Sequence, residues 1–218
     1  MEVDLLKYEK ELYNKGYELI AGTDEVGRGP LVGPVVAAAV ILPKNYKLDG
    51  LTDSKKLSEK KRNIYYEIIM RDAISVGIGI VSEKTIDKIN ILEASRLAMN
   101  RALDELKVKP DYILTDAMKL DRDVEVKSII HGDALSLTIA ASSVIAKVTR
   151  DRLMVEFGKL HPEYEFASHK GYPTKRHIEL VKKYGILDEY RKTFRPICDL
   201  IEGSKIDGRH KKEKATTK

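Results

Sequence analysis

The chain predicts an α/β fold built on a mixed sheet, from the order of its segments. Two strand-like segments come first, joined by a glycine loop, and strand-like segments then alternate with helical ones. Tyr17 to Thr23 and Val32 to Leu42 are rich in β-branched and small apolar residues. Ser58 can cap a helix that carries Ile64, Tyr65, Ile68 and Ile69 on one face. Ile74 to Val81 (ISVGIGIV) is the third strand. A longer helix follows, with Ile91, Ala98 and Ala102 beside Leu92, Met99, Leu103 and Leu106, and it stops near Pro110. Tyr112 to Thr115 is a short buried strand ending at Asp116, and Val124 to Ile130 alternates like a fifth. Asp133 opens a long helical stretch, 134–160, closed by His161-Pro162. A loop containing HKGYP leads to a last helix, TKRHIELVKKYG, with Gly185 placed to end it.

Bulk properties narrow the function. With 218 residues the chain makes one main domain, expected over 1–203, followed by a basic, disordered tail over 204–218. A single Cys198 excludes an intramolecular disulfide framework and fits a reducing compartment. The charged N-terminus has no apolar core of a secretory signal, and the longest apolar run, Val35 to Leu42, is far below the ~20 residues of a membrane span. A cytoplasmic location is expected. The net charge of +5 says little, because residues 204–218 hold six Lys or Arg against Asp207 and Glu213. Basic clusters such as Lys55-Lys56 and Lys60-Lys61-Arg62 are solvated surface unless they flank a site that handles phosphate.

The stretch TDEVGRGPLVGP, residues 23–34, has the look of a phosphate-cradling loop but the wrong spacing. Gly27, Gly29 and Gly33 read G-x-G-x-x-x-G, one residue longer than the dinucleotide fingerprint. It also opens with two carboxylates, which repel phosphate. Asp24-Glu25, Asp116 and Asp133 all stand where strands end or helices begin, where α/β sheets build their sites. Asp133 alone would read as a helix cap and Asp116 as a turn residue. Acidic oxygens with few His or Cys nearby suit a hard cation, Mg²⁺ or Mn²⁺, which would turn a phosphate-repelling loop into a phosphate-binding one. A pure backbone-binding module would not place Asp-Glu in such a loop.

Six segments carry a resemblance to the ribonuclease HII family: residues 22–43, LTDSKKLSEKKR (51–62), NILEASRLAMNRAL (90–103), LTDA (114–117), residues 131–154 and HKGYPTKRH (169–177). The resemblance implies a ribonuclease H-like fold, a mixed sheet flanked by helices with a C-terminal helical region. It implies endonucleolytic cleavage of RNA in RNA·DNA hybrids and of single ribonucleotides in duplex DNA, leaving 3′-OH and 5′-phosphate ends, by a monomer. Asp24, Glu25, Asp116 and Asp133 match the family carboxylates that hold two divalent ions, Mn²⁺ or Mg²⁺. Gly27, Arg28 and Gly29 match the loop that meets the ribonucleotide 2′-OH, and Tyr172 the tyrosine that packs on the sugar at the RNA-to-DNA junction. Lys55, Lys56, Lys147 and Arg150 are expected phosphate contacts, the last two on one helical face. No side-chain nucleophile is needed, and His131 and His169 are assigned no catalysis. The loop residues and Tyr172 argue against a junction resolvase.

Overall fold

The run Val35–Ile41, VVAAAVI, has no polar residue and must be covered on both faces. The computed structural model, which describes residues 4–203, puts it near the centre of a five-stranded sheet. The strands are β1 (Ile20–Val26), β2 (Val35–Ile41), β3 (Ser75–Val81), β4 (Tyr112–Asp116) and β5 (Glu125–Ile129). Their order is β3-β2-β1-β4-β5. β1 pairs antiparallel with β2 and parallel with β4; β2 and β3 are antiparallel, β4 and β5 parallel. The sheet is mixed, as expected.

Alternation along β2 separates two cores. Val35, Ala37, Ala39 and Ile41 pack with Ala98, Met99 and Ala102 of one helix. Ala38, Val40 and Leu42 pack with Ala140, Ala141 and Val144 of another and with Ile69. In chain order the helices that lie wholly within the described residues are α1 (Lys7–Asn14), α2 (Glu59–Asp72), α3 (Glu83–Asp104), α4 (Leu137–Leu160), a single turn α5 (Phe166–His169) and α6 (Lys175–Tyr184), and residues 197–203 are also helical. α3 covers one face, α2 and α4 the other. Ser58 caps α2 by accepting from Lys61 N–H, as expected. α3 begins earlier than its apolar spacing indicates and breaks at Asn90 (φ 67°), whose Oδ1 accepts from Leu92 and Glu93 N–H and restarts the helix. Gly22 lets α4 lie against β1: a Cβ there would sit 2.2 Å from the Thr138 carbonyl carbon.

Two expectations are corrected. Val32 to Pro34 are not strand; Val32 makes only an isolated bridge to Tyr190. Asp133 does not open the long helix. It lies in a 3-10 turn (Gly132–Ala134), and the cap of α4 is Ser136, whose hydroxyl accepts from Ile139 N–H. Its carboxylate is therefore free for other work. α1 is not anticipated in the charged N-terminal segment. It is docked by the buried Glu9, whose Oε1 accepts from Ser136 Oγ (2.7 Å), Thr138 Oγ1 (2.9 Å) and Thr138 N–H (3.0 Å). The expected tail, 204–218, lies outside the described residues. Among the described residues no helix is long and apolar enough to cross a membrane.

The C-terminal region packs Tyr164, Phe166, Val181 and Tyr190 onto Leu31 and Val32, just past the glycine loop. His177 is buried within it. Its Nδ1 donates to the Tyr172 carbonyl (2.9 Å), and its Nε2 meets the Tyr190 hydroxyl at 2.7 Å. Burial depresses its pKa to about 4. The unfolded chain takes up this proton near pH 6.5 and the folded chain only near 4. The neutral form's contribution is thus complete above about pH 6.5 and lost as pH falls through that window. Urea denaturation of wild type and His177→Gln at pH 7 and pH 5 should show a smaller stability loss on acidification in the variant.

Candidate functional site

Thr23 and Thr115 are the last registered pair of the parallel β1–β4 ladder, so Asp24 and Asp116 follow side by side. The 3-10 turn after β5 returns to this point, and Gly132 N–H donates to Asp116 Oδ1 at 2.7 Å. One carboxylate oxygen each from Asp24, Asp116 and Asp133 lies within 4.8 Å of the others. Asp24 and Asp133 are buried, and Asp116 is half-buried. Burial, with Glu25, Asp116 and Asp133 beside it, pushes the Asp24 carboxyl well above the usual carboxylate range. Asp133 is also raised, by burial and then by Asp116 and Asp53, against the pull of Lys55, whose Nζ stands 3.7 Å from Asp133 Oδ2.

Magnitudes decide what this cluster needs. Two full charges about 5 Å apart repel by about 3 kcal/mol at an effective dielectric near 20. The Lys55 side chain is 72% exposed. Solvent screens an ammonium that exposed, even though its Asp133 partner is buried. It cannot neutralise three carboxylates. The donor set is all hard oxygen and converges on one point, so the residues fit a divalent cation of the Mg²⁺ or Mn²⁺ kind.

Glu25 differs from its neighbour. It pairs with Ala37 while Asp24 pairs with Ala38, and these alanines belong to opposite cores. Successive strand residues point to opposite faces, so adjacency in sequence separates the two carboxylates. Glu25 borders the same cleft as Asp24 but is outside the 4.8 Å group. Arg28 Nη1 donates to its Oε1 at 3.1 Å, while Oε2 is buried without a partner. Burial raises its pKa and Arg28 opposes the rise.

Asp24, Glu25, Lys55, Lys147 and Tyr172 line one cleft, together with Arg62 of the Lys60-Lys61-Arg62 cluster and with Ser54 and Ser143, to which the sequence assigned no role. Lys147 Nζ donates to Asp151 at 2.7 Å. Lys56 turns away, into the groove between α1 and residues 46–51. Tyr172, 37% exposed, lies beside the glycine loop: a methyl on Gly29 would touch its ring at 3.7 Å. Arg150 is fully buried, and its guanidinium donates to the carbonyls of Pro34 (3.2 Å), Lys170 (3.0 Å) and Val32 (3.3 Å). It sits 5.8 Å from the Tyr172 ring centre. The surface cation expected there is an interior anchor, because helical spacing cannot tell a solvent-facing Arg from one that faces a loop. A Cβ on Gly27, at φ 94°, would lie 2.3 Å from Arg150 Nε, so only glycine fits. His169 accepts from Gly171 N–H and donates to the Tyr164 carbonyl, which leaves neither ring nitrogen free as a base.

Fold and comparisons together define the class. Ribonuclease H2 from Pyrococcus horikoshii OT3 superposes with a TM-score of 0.72 at 27% identity, covering 84% of this chain and 97% of that one. The fold is ribonuclease H-like. The family model described as Ribonuclease HII matches residues 21–197. Ribonuclease HII of Bacillus subtilis is 56% identical over 89% of this chain and 76% of its own length. Ribonuclease HII of Acholeplasma laidlawii is 51% identical over 93% and 100%. The chain belongs to the ribonuclease HII family, and it is an endonuclease of the ribonuclease H type, a hydrolase acting on nucleic acid.

Proposed function

We propose that the protein cleaves the RNA strand of RNA·DNA hybrids and nicks duplex DNA 5′ of single embedded ribonucleotides, leaving 3′-OH and 5′-phosphate ends. The supporting observation is a juxtaposition: carboxylate oxygens of Asp24, Asp116 and Asp133 lie within 4.8 Å of one another, and Asp24 lines a cleft that Tyr172 also lines. Asp24, Asp116 and Asp133, with Glu25 as fourth ligand, would hold two divalent ions, Mg²⁺ or Mn²⁺. Bound there, such ions supply an ionised water near neutral pH and stabilise the leaving oxygen. The Gly27–Gly29 loop brings backbone groups close to a sugar, where a 2′-OH both donates and accepts. Tyr172 offers a flat face to a deoxyribose. Lys55 and Lys147, at the cleft wall, meet the flanking phosphates.

Three duplexes test this with wild-type protein and Mn²⁺: all-deoxy, one ribonucleotide, and a full RNA·DNA hybrid. The reading predicts a single nick in the second, ladder cleavage of the RNA in the third, and no cleavage of the first. A product with a 2′,3′-cyclic phosphate would contradict it, because that end arises from attack by the 2′-OH rather than by water.

A further inference from the structure

We propose that Arg191 is the positioning residue of the glycine loop, turning the N–H groups of Arg28 and Gly29 outward so that they meet the ribonucleotide. The inference rests on the functional reading above and adds a residue to it. Arg191 is fully buried. Its Nη2 donates to the carbonyls of Gly27 (2.6 Å) and Gly33 (2.9 Å), its Nη1 to that of Arg28 (2.9 Å), and its Nε to Gly33 (3.1 Å). No ion pair involves it among the described residues. A cation buried against carbonyls and the Phe194 ring, 5.0 Å from its centre, with no carboxylate paired to it, is costly, and an apolar residue would fill the space without that cost. What the guanidinium adds is a fixed fork of donors that gathers three carbonyls of one loop.

Peptide geometry carries the consequence. In a planar trans unit the C=O and the following N–H point in opposite directions. Drawing the Gly27 and Arg28 carbonyls inward therefore turns the Arg28 and Gly29 N–H groups outward. Neither donates to another protein group among the described residues, and Gly29 adjoins the Tyr172 ring. Successive free N–H groups form a concavity for a phosphate or hydroxyl oxygen. The division of labour is clear: Arg150 anchors residues 32–34 and Lys170 below Tyr172, and Arg191 shapes residues 27–28. The strand-like bridge of Tyr190 to Val32 and the bond from Arg191 N–H to the Leu31 carbonyl (2.8 Å) hold the guanidinium in register.

The test compares wild type with Arg191→Lys, which keeps the charge and loses the fork. KM and kcat are measured on a duplex with one ribonucleotide, and Ki for the all-deoxy duplex as competitor. The proposal expects KM to rise about ten-fold, the loss of one or two hydrogen bonds, with Ki changed less than two-fold. Unchanged KM and Ki, with kcat falling in step with the folded fraction, would overturn it. Hydrogen exchange on Asp116→Asn protein keeps the idea testable if Arg191→Lys does not fold. The amides of residues 28–29 should slow with the one-ribonucleotide duplex and not with the all-deoxy one; equal slowing by both would also overturn it. Wild type that fails to nick the one-ribonucleotide duplex would sink the functional reading itself, a separate outcome.

Discussion

Asp24→Asn and Asp116→Asn should each lower cleavage by about a thousand-fold or more while the metal-free protein melts at an unchanged or higher temperature. The activity loss follows from removing a cation ligand, since the charge stabilisation at stake is several kcal/mol and each 1.36 kcal/mol is about ten-fold in rate. The stability result follows from the geometry. Asp24 is buried among like charges, with oxygens of Asp116 and Asp133 within 4.8 Å. A neutral amide of the same shape removes repulsion and keeps the packing. Asp133→Asn should behave alike, because Ser136 and not Asp133 caps α4. A large drop in melting temperature with retained turnover would make these aspartates structural.

Tyr172→Ala should reduce kcat/KM at a single ribonucleotide in DNA by about ten- to a hundred-fold, with Tyr172→Phe retaining part of the activity. Contacts of an aromatic face with a nucleotide are worth ~1–3 kcal/mol. The ring is partly exposed, beside Gly29 and above Arg150, so its loss removes little core. The decrease should be smaller on an all-RNA strand in a hybrid, which presents no deoxyribose at that position. Steady-state kinetics on both substrates at one salt concentration decide the matter. Equal rates for wild type and Tyr172→Ala on the junction substrate would leave Tyr172 a surface residue of its loop.

The sheet was legible because its signals are local. VVAAAVI has no polar residue to place, and 112–115 is bounded by turn formers. The carboxylates were legible too, as acids at strand ends. What remained hidden depends on distant partners. α1 lies in a charged segment, and only Ser136 and Thr138, more than 120 residues on, give Glu9 a reason to be buried. Asp133 resembles a cap until Ser136 is seen to take that place. Glu25 seems inseparable from Asp24, yet the pleat sends the two to opposite faces. Arg150 and Arg191 are the deepest surprise. A guanidinium dissolved in backbone carbonyls leaves no mark in the sequence, because its partners are atoms that every residue carries.

A calorimetric titration of Mn²⁺ into wild type, Asp24→Asn and Asp116→Asn tests the acidic centre most directly, with melting curves taken at the same metal concentrations. Wild type should bind Mn²⁺ and melt progressively higher as it is added, since a ligand bound only by the folded state stabilises it by mass action. Both variants should bind at least about ten-fold more weakly and melt at nearly constant temperature. Heats and melting shifts equal to those of wild type would place the metal elsewhere, away from Asp24 and Asp116.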